Sequence, residues 1–243
     1  MITYEFPLNE QVRTLLKLER LFQQVLALTR HDDALSHQTA LCTLFDLMDI
    51  ASRNEVRQEL QMELVRIRQR LETGSTSENE WLKQIDQAQS ALHELPARLD
   101  HMTRDSEWLG AVRQRSNAPG GINSFDLPYY HYWQNKPSQN RRADLVSWIS
   151  PALPVHQAIN LILRRLRNLG SPQAIVAQNG FYQQMINGRN GQLLRMALDS
   201  NLRAIPEVSA SRHAINIRFV DATAAGHAQF DEQVEFQLCF CEA

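Results

Sequence analysis

Cysteine is scarce in this sequence. Its three copies, Cys42, Cys239 and Cys241, are too few for a disulfide scaffold. No apolar run approaches the ~20 residues that a membrane-crossing helix needs. The opening Met1-Ile2-Thr3-Tyr4-Glu5-Phe6 lacks the basic start and apolar centre of an export signal. Nor is one charge in excess: 25 Lys and Arg stand against 27 Asp and Glu, a formal net charge of −2. A dedicated nucleic-acid binder would be clearly basic. These absences predict a cytoplasmic protein with neither nucleic acid nor membrane as a partner.

Catalytic signatures are missing as well. There is no Gly-x-Ser-x-Gly elbow, no phosphate-loop glycine pattern and no helical His-Glu-x-x-His spacing. The groupings His31-Asp32-Asp33 and His101 with Asp105 fall on expected loop and helix surfaces. Cys239 and Cys241 alternate with Phe240, so a strand there sets both thiols on one face. No nearby His or Cys completes a zinc set, which predicts cysteines facing a core or groove. The reading expects no catalytic residue, no metal and no cofactor.

What is present begins as helix. Leu15, Leu18, Phe22 and Val25 recur at three- and four-residue spacing, a buried face entered near Asn9. Arg13, Lys17 and Arg20 neighbour one another on that helix, as a solvated face or as a binding one. Ala40, Leu41, Leu44, Phe45, Leu47 and Met48 give a second helix. Ser52-Arg53-Asn54-Glu55 matches a capping box ahead of a third, with Val56, Leu60, Leu64, Ile67 and Leu71. Gly74-Ser75-Thr76 ends it, and Ser77-Glu78-Asn79-Glu80 is a second capping box before Trp81, Leu82, Ile85, Ala88 and Leu92. One further helix is expected to hold Leu99, Met102, Leu109 and Val112. Short loops between such helices predict an antiparallel bundle.

The stretch Trp108 to Trp133 reads as a junction. Arg113 and Arg115 precede the break Pro119-Gly120-Gly121, and Tyr129, Tyr130, His131, Tyr132 and Trp133 follow it. As a strand, that run sets Tyr129, His131 and Trp133 on one face. Aromatic area beside guanidinium forks has the composition of a peptide-binding surface. Residues 140–170 return to helix, restarted at Pro151 and Pro154 and stopped at Gly170 and Pro172. Beyond, Asn179-Gly180 predicts a hairpin turn between Ala174-Ile175-Val176 and Phe181-Tyr182. Asn187-Gly188 and Asn190-Gly191 mark another loop. Leu194/Met196/Leu198, Ile215/Ile217/Phe219 and Val234/Phe236/Leu238/Phe240 alternate as half-buried strands. Arg212 and Arg218 differ by an even number, so on a regular strand they face the same way.

The fold class expected is α+β, an N-terminal helical bundle and an antiparallel β-sandwich-like domain, with one later helix returning to the bundle. The expected boundaries are 1–110 for the bundle, joined by helix 140–170, and 111–139 with 171–243 for the β domain.

Several of these blocks resemble the ZapD family of bacterial proteins associated with the cell-division ring. They are Glu5-Phe6-Pro7-Leu8-Asn9-Glu10 with Arg13-Thr14-Leu15-Leu16, Glu55-Val56-Arg57 with Glu59-Leu60, and Val112-Arg113-Gln114-Arg115 through Pro119-Gly120-Gly121. Ser124-Phe125-Asp126-Leu127-Pro128 with His131 and Trp133 is the most specific. Asn179-Gly180-Phe181-Tyr182-Gln183 and Ile217-Arg218-Phe219 complete a likeness that runs along the whole chain. The resemblance implies a non-enzymatic homodimer that binds the C-terminal tail of FtsZ and cross-links FtsZ filaments at the mid-cell ring. It carries a basic tail-binding role onto Lys17, Arg53, His131 and Arg218. Arg113 and Arg115 join these from local composition. Glu107 and Ala214 stand where the family pattern suggests arginine, which brings in Arg104 and Arg212 as substitutes. A generic peptide-binding adaptor with another partner is the alternative reading.

Overall fold

The computed structural model describes residues 1–72, 79–96, 99, 101–186, 191–223 and 228–242. The chain is α+β and divides into two compact units, Met1–Thr14 with Leu163–Ala243, and Leu15–Ile162.

The first unit is built from strands. Sheet order is β1-β4-β7-β2, from β1 (Ile2–Pro7), β4 (Gly191–Leu198), β7 (Val234–Glu242) and β2 (Gln173–Ala177), all antiparallel among the described residues. A second sheet has the order β3-β6-β5, from β3 (Phe181–Met185), β6 (Ala214–Asp221) and β5 (Ala204–Ala210). Leu194, Met196, Leu198, Val234, Phe236 and Leu238 of one sheet share a core with Ile215, Ile217 and Phe219 of the other. Phe219 and Phe236 meet edge to face at 5.2 Å, so the two sheets form a sandwich. Each such buried side chain stabilises the unit by roughly 1.5–3 kcal/mol.

Strand β1 is a departure from the helical start that the sequence suggested. Tyr4 and Phe6 alternate into the sandwich core while Glu5 points the other way. There Glu5 accepts both forks of Arg167, at 2.8 and 2.7 Å, and Nε of Arg195 at 3.1 Å. Asn179 and Gly180 do take positive φ, 51° and 65°. Their turn, however, carries the chain from β2 in one sheet to β3 in the other. The thiols of Cys239 and Cys241 lie 3.7 Å apart and are buried. Burial, with Cys239 beside it, pushes Cys241 up to about 12.

The second unit is helical, from α1 (Glu10–Leu28), α2 (Ala34–Ala51), α3 (Asn54–Glu72), α4 (Asn79–His93), α5 (His101–Arg104), α6 (Glu107–Ser116), α7 (Pro128–Gln134), α8 (Ser138–Ile149) and α9 (Leu153–Asn168). The division between units falls within α1 and within α9. The predicted stripes are the buried ones: Leu15, Leu18, Phe22 and Val25 on α1, and Val56, Leu60, Leu64, Ile67 and Leu71 on α3. Asn9 Oδ1 accepts from the Val12 amide at 2.8 Å, and Asp33 caps α2 through the Ser36 amide at 2.7 Å.

Three expectations change. The box Ser52-Arg53-Asn54-Glu55 does not close, because Ser52 ends α2 and its buried hydroxyl has no partner among the described residues. The single helix expected from Leu99 to Val112 breaks at Asp105 and Ser106 into α5 and α6. Residues Tyr129 to Trp133 form helix α7 and not a strand, so 111–139 fall in the helical unit. Pro128 at the first helical turn supplies the required φ and has no amide to waste. The stop Gly74-Ser75-Thr76 and the start of the box Ser77-Glu78-Asn79-Glu80 lie outside the described residues, as do Asn187-Gly188 and Asn190.

Inside this unit His37 is buried. Its Nδ1 accepts from Arg141 Nε at 3.0 Å, which leaves the proton on the buried Nε2. Burial first, and Arg141 second, hold His37 below its ordinary value. Burial does the same to His156, stacked on Phe22 at 4.6 Å. Both imidazoles protonate at about pH 6.5 in the unfolded chain but resist it when folded. The unfolded state therefore binds more protons below that pH, and this stability is lost as pH falls. Urea unfolding at about pH 7.5 and about pH 5.5 should show the lower midpoint at the acidic value, and His37→Gln should flatten the difference. A midpoint that rises on acidification would contradict the assignment.

Candidate protein-binding surface

The surface begins with α7. Its helical period sets Tyr130 and Trp133 inward, both 2% exposed, and leaves Tyr129 and Tyr132 outward at 72% and 70%. Burial pushes the Tyr130 hydroxyl up to about 12. Trp133 meets Trp108 of α6 at 6.1 Å and Trp148 of α8 at 5.8 Å, and Trp108 meets Trp148 at 6.0 Å. Trp133 Nε1 donates to Asp144 at 3.0 Å, so the polar end of the ring is satisfied. Such ring pairs add about 0.5–1.5 kcal/mol each beyond their buried area.

Two depressions flank this cluster. One, of about 490 Å³, lies between Asp105, Glu107, Trp108 and the start of α7 at Leu127 to Tyr130. The other, of about 450 Å³, continues past Tyr129 and Tyr132 over Trp133 and Trp148 to Lys136 and Asp144. Lys136 is held to Asp144 at 3.4 Å and lies over the Tyr132 ring at 5.9 Å.

Arg141 fixes where α7 ends. It is buried, and it donates to the carbonyls of Gln134 (3.1 Å), Lys136 and Asp32 (2.7 Å) as well as to His37. Its neighbour Arg142 donates to the Thr29 and Arg30 carbonyls, each at 3.1 Å, and to the Asp32 carboxylate at 2.7 Å. Neither arginine was singled out from sequence, because each reaches partners more than a hundred positions away.

The basic residues marked in the sequence fall in both units. Lys17 is exposed on α1, Arg53 between α2 and α3, Arg104 at the end of α5, and Arg115 on α6. Arg113, also on α6, is ion-paired with Asp49 of α2. Neither Arg113 nor Arg115 lines the aromatic depressions. His131 is exposed on the solvent side of α7, 3.4 Å from the Asn135 amide, so it does not share a face with Trp133. In the sandwich unit, Arg212 lies in the β5–β6 turn, off the strand, with its Nε 2.9 Å from His213 Nε2. The parity argument linking it to Arg218 therefore fails. Arg218 sits on β6 between Phe181 of β3 and Glu207 of β5, pairing with Glu207 at 2.6 Å.

Among the described residues no group of three or more His, Cys, Asp or Glu is placed to hold a metal ion. No described helix is long and apolar enough to cross a membrane.

Comparison with known proteins decides the family. The model of the ZapD family, described as cell division proteins, matches residues 16–218. This chain belongs to the ZapD family. The cell division protein ZapD of Chromobacterium violaceum is 39% identical to it over 251 residues, covering 100% of each chain. That of Azoarcus sp. is 38% identical, covering 99% of each. That of Aromatoleum aromaticum is 36% identical, covering 99% of this chain and 97% of the relative. Membership in the family gives the chain a role in cell division.

Because the Arg218–Glu207 pair is exposed, 47% and 37% at the side chains, it contributes little to stability. Arg218→Ala should shift the unfolding free energy by less than about 1 kcal/mol in urea titration, which makes it a clean probe of binding. A loss above about 2 kcal/mol would mark Arg218 as structural.

Proposed function

We propose that this chain is a non-enzymatic cross-linker that binds the C-terminal tail of FtsZ and, as a homodimer, holds neighbouring FtsZ filaments together at the division ring. Membership in a family of cell division proteins over residues 16–218 carries the reading. Lys17, Arg53, Arg104, Arg113, Arg115, His131, Arg212 and Arg218 are the proposed contacts to the tail. In support, Lys17, Arg53, Arg104 and Arg115 are exposed and have no ion pair among the described residues. Arg113 is the weakest of the set, since it is engaged with Asp49.

Exposed guanidinium and ammonium groups gain modest energy from each carboxylate and lose it to salt. Cross-linking does not need a tight single contact. A two-fold dimer presents the site twice and a filament presents many tails, so the second contact forms at high effective concentration.

Co-sedimentation with assembled FtsZ, full-length or lacking its tail, tests the proposal at low and moderate salt. Pelleting and bundling should require the tail and fade as salt rises, and Arg218→Ala should reduce both. Tail-independent pelleting would move the site elsewhere on FtsZ. No association at low salt would overturn FtsZ as the partner and favour an adaptor with another ligand.

A further inference from the structure

The aromatic depressions beside α7 carry a chemistry that the basic residues do not. Trp108 lines both, Trp133 and Trp148 line the second, and the three rings pack on one another at 5.8–6.1 Å. Tyr129 and Tyr132 stand at the rim and keep most of their area in water. Large rings left exposed over a rigid apolar floor are the usual anchor sites of protein surfaces. A space of about 490 Å³ is in the range that encloses a small ligand or one to two side chains. The fixed tryptophans and the Arg141-held end of α7 mean that little ordering entropy is lost on filling it.

Charge then selects the occupant. Lys136, the cation of the second depression, is already committed to Asp144 and to the Tyr132 ring. At the mouth stand Asp105 and Glu107, both exposed and neither ion-paired among the described residues. Glu107 also sits in the first turn of α6, where the helix dipole favours a carboxylate. An acidic peptide would be repelled here. A cation would meet two carboxylates and the face of an exposed tyrosine.

We propose that this groove seats a large apolar side chain of a partner peptide whose adjacent residue is lysine or arginine. The apolar side chain covers Trp108 and Tyr129, and the cation lies against Asp105 and Glu107. None of its lining residues is among the basic contacts proposed above, of which Arg104 precedes Asp105 and His131 follows Tyr130 in the chain, and the proposal does not require that the peptide be an FtsZ tail.

The test uses the full chain and N-acetylated, C-amidated octapeptides with one central phenylalanine followed by arginine. Matched peptides replace the arginine by glutamate or the phenylalanine by alanine. Trp108 lines the seat and packs on Trp133 and Trp148, so intrinsic fluorescence reports occupancy, and calorimetry gives affinity. The arginine peptide should bind roughly threefold to tenfold tighter than the glutamate peptide at low salt, with the gap narrowing as salt rises. The peptide lacking phenylalanine should show no measurable binding. Glu107→Lys should erase or invert the charge preference. Tyr129→Ala, at an exposed position that leaves the fold intact, should weaken binding about tenfold. Equal affinity for all three peptides, preference for glutamate, or no binding at millimolar peptide would overturn the proposal. Co-sedimentation with FtsZ separates the two readings. Tail-dependent pelleting without peptide capture sinks the groove alone, and peptide capture without pelleting sinks FtsZ alone.

Discussion

The helical unit is arranged around a buried guanidinium that has no carboxylate partner among the described residues. A charge taken out of water costs several kcal/mol unless its donors are satisfied. Arg141 meets that demand with three backbone carbonyls and the Nδ1 of His37. The carbonyls come from the end of α7, the turn into α8 and the α1–α2 connection. Each would otherwise be an orphan of a chain end or loop. One side chain thus closes three loose ends. Because α7 is only seven residues long, too short to hold its own helix in water, its position depends on this clamp and on the Trp133 packing. The groove inherits its rigidity from the same two sources.

The sandwich unit has a counterpart on its outer side. Glu5 of β1 gathers Arg167 from α9 and Arg195 from β4. Arg195 also reaches the Arg167 carbonyl at 3.3 Å, so the end of the helix is tied to the sheet through two guanidinium groups. These side chains are only part-buried, at 22–33% exposure, and the linkage is more a device of register than of stability. It fixes which way β1 faces: with Glu5 held outward, Tyr4 and Phe6 must point into the sandwich.

Much of the fold was legible because burial writes a period into the sequence. Leu15 to Val25 and Val56 to Leu71 carry the helical period, and Ile215 to Phe219 carry the strand period over enough residues to be told apart. The run Tyr129 to Trp133 is too short for that, and its aromatic composition favours strand. Pro128 was the signal for helix, and it acts through backbone geometry and not through hydrophobicity. The candidate surface was harder still. Arg113 and Arg115 are near the aromatics in sequence, yet the rings that form the groove come from α6, α7 and α8, and the charges at its mouth that have no ion pair among the described residues, Asp105 and Glu107, are acidic. Trp148 lies fifteen positions beyond Trp133, and Arg141 bonds to groups 104 and 109 positions away. No local pattern records such distances.

A chain with net charge −2 cannot select partners by overall field, so selection has to be local. The two kinds of surface on this chain differ in what weakens them. Exposed cations such as Lys17, Arg53 and Arg115 act through water and are screened beyond about 8 Å at physiological salt. Apolar burial on tryptophan and tyrosine rings is not screened, and salts that are excluded from protein surfaces strengthen it. A segment that offers carboxylates to the cations and an apolar residue beside a cation to the groove would be read by both. One that offers only charge would be held weakly and released by salt. On the two proposals together, discrimination would come from the order of residues along the partner, which neither surface could provide by itself.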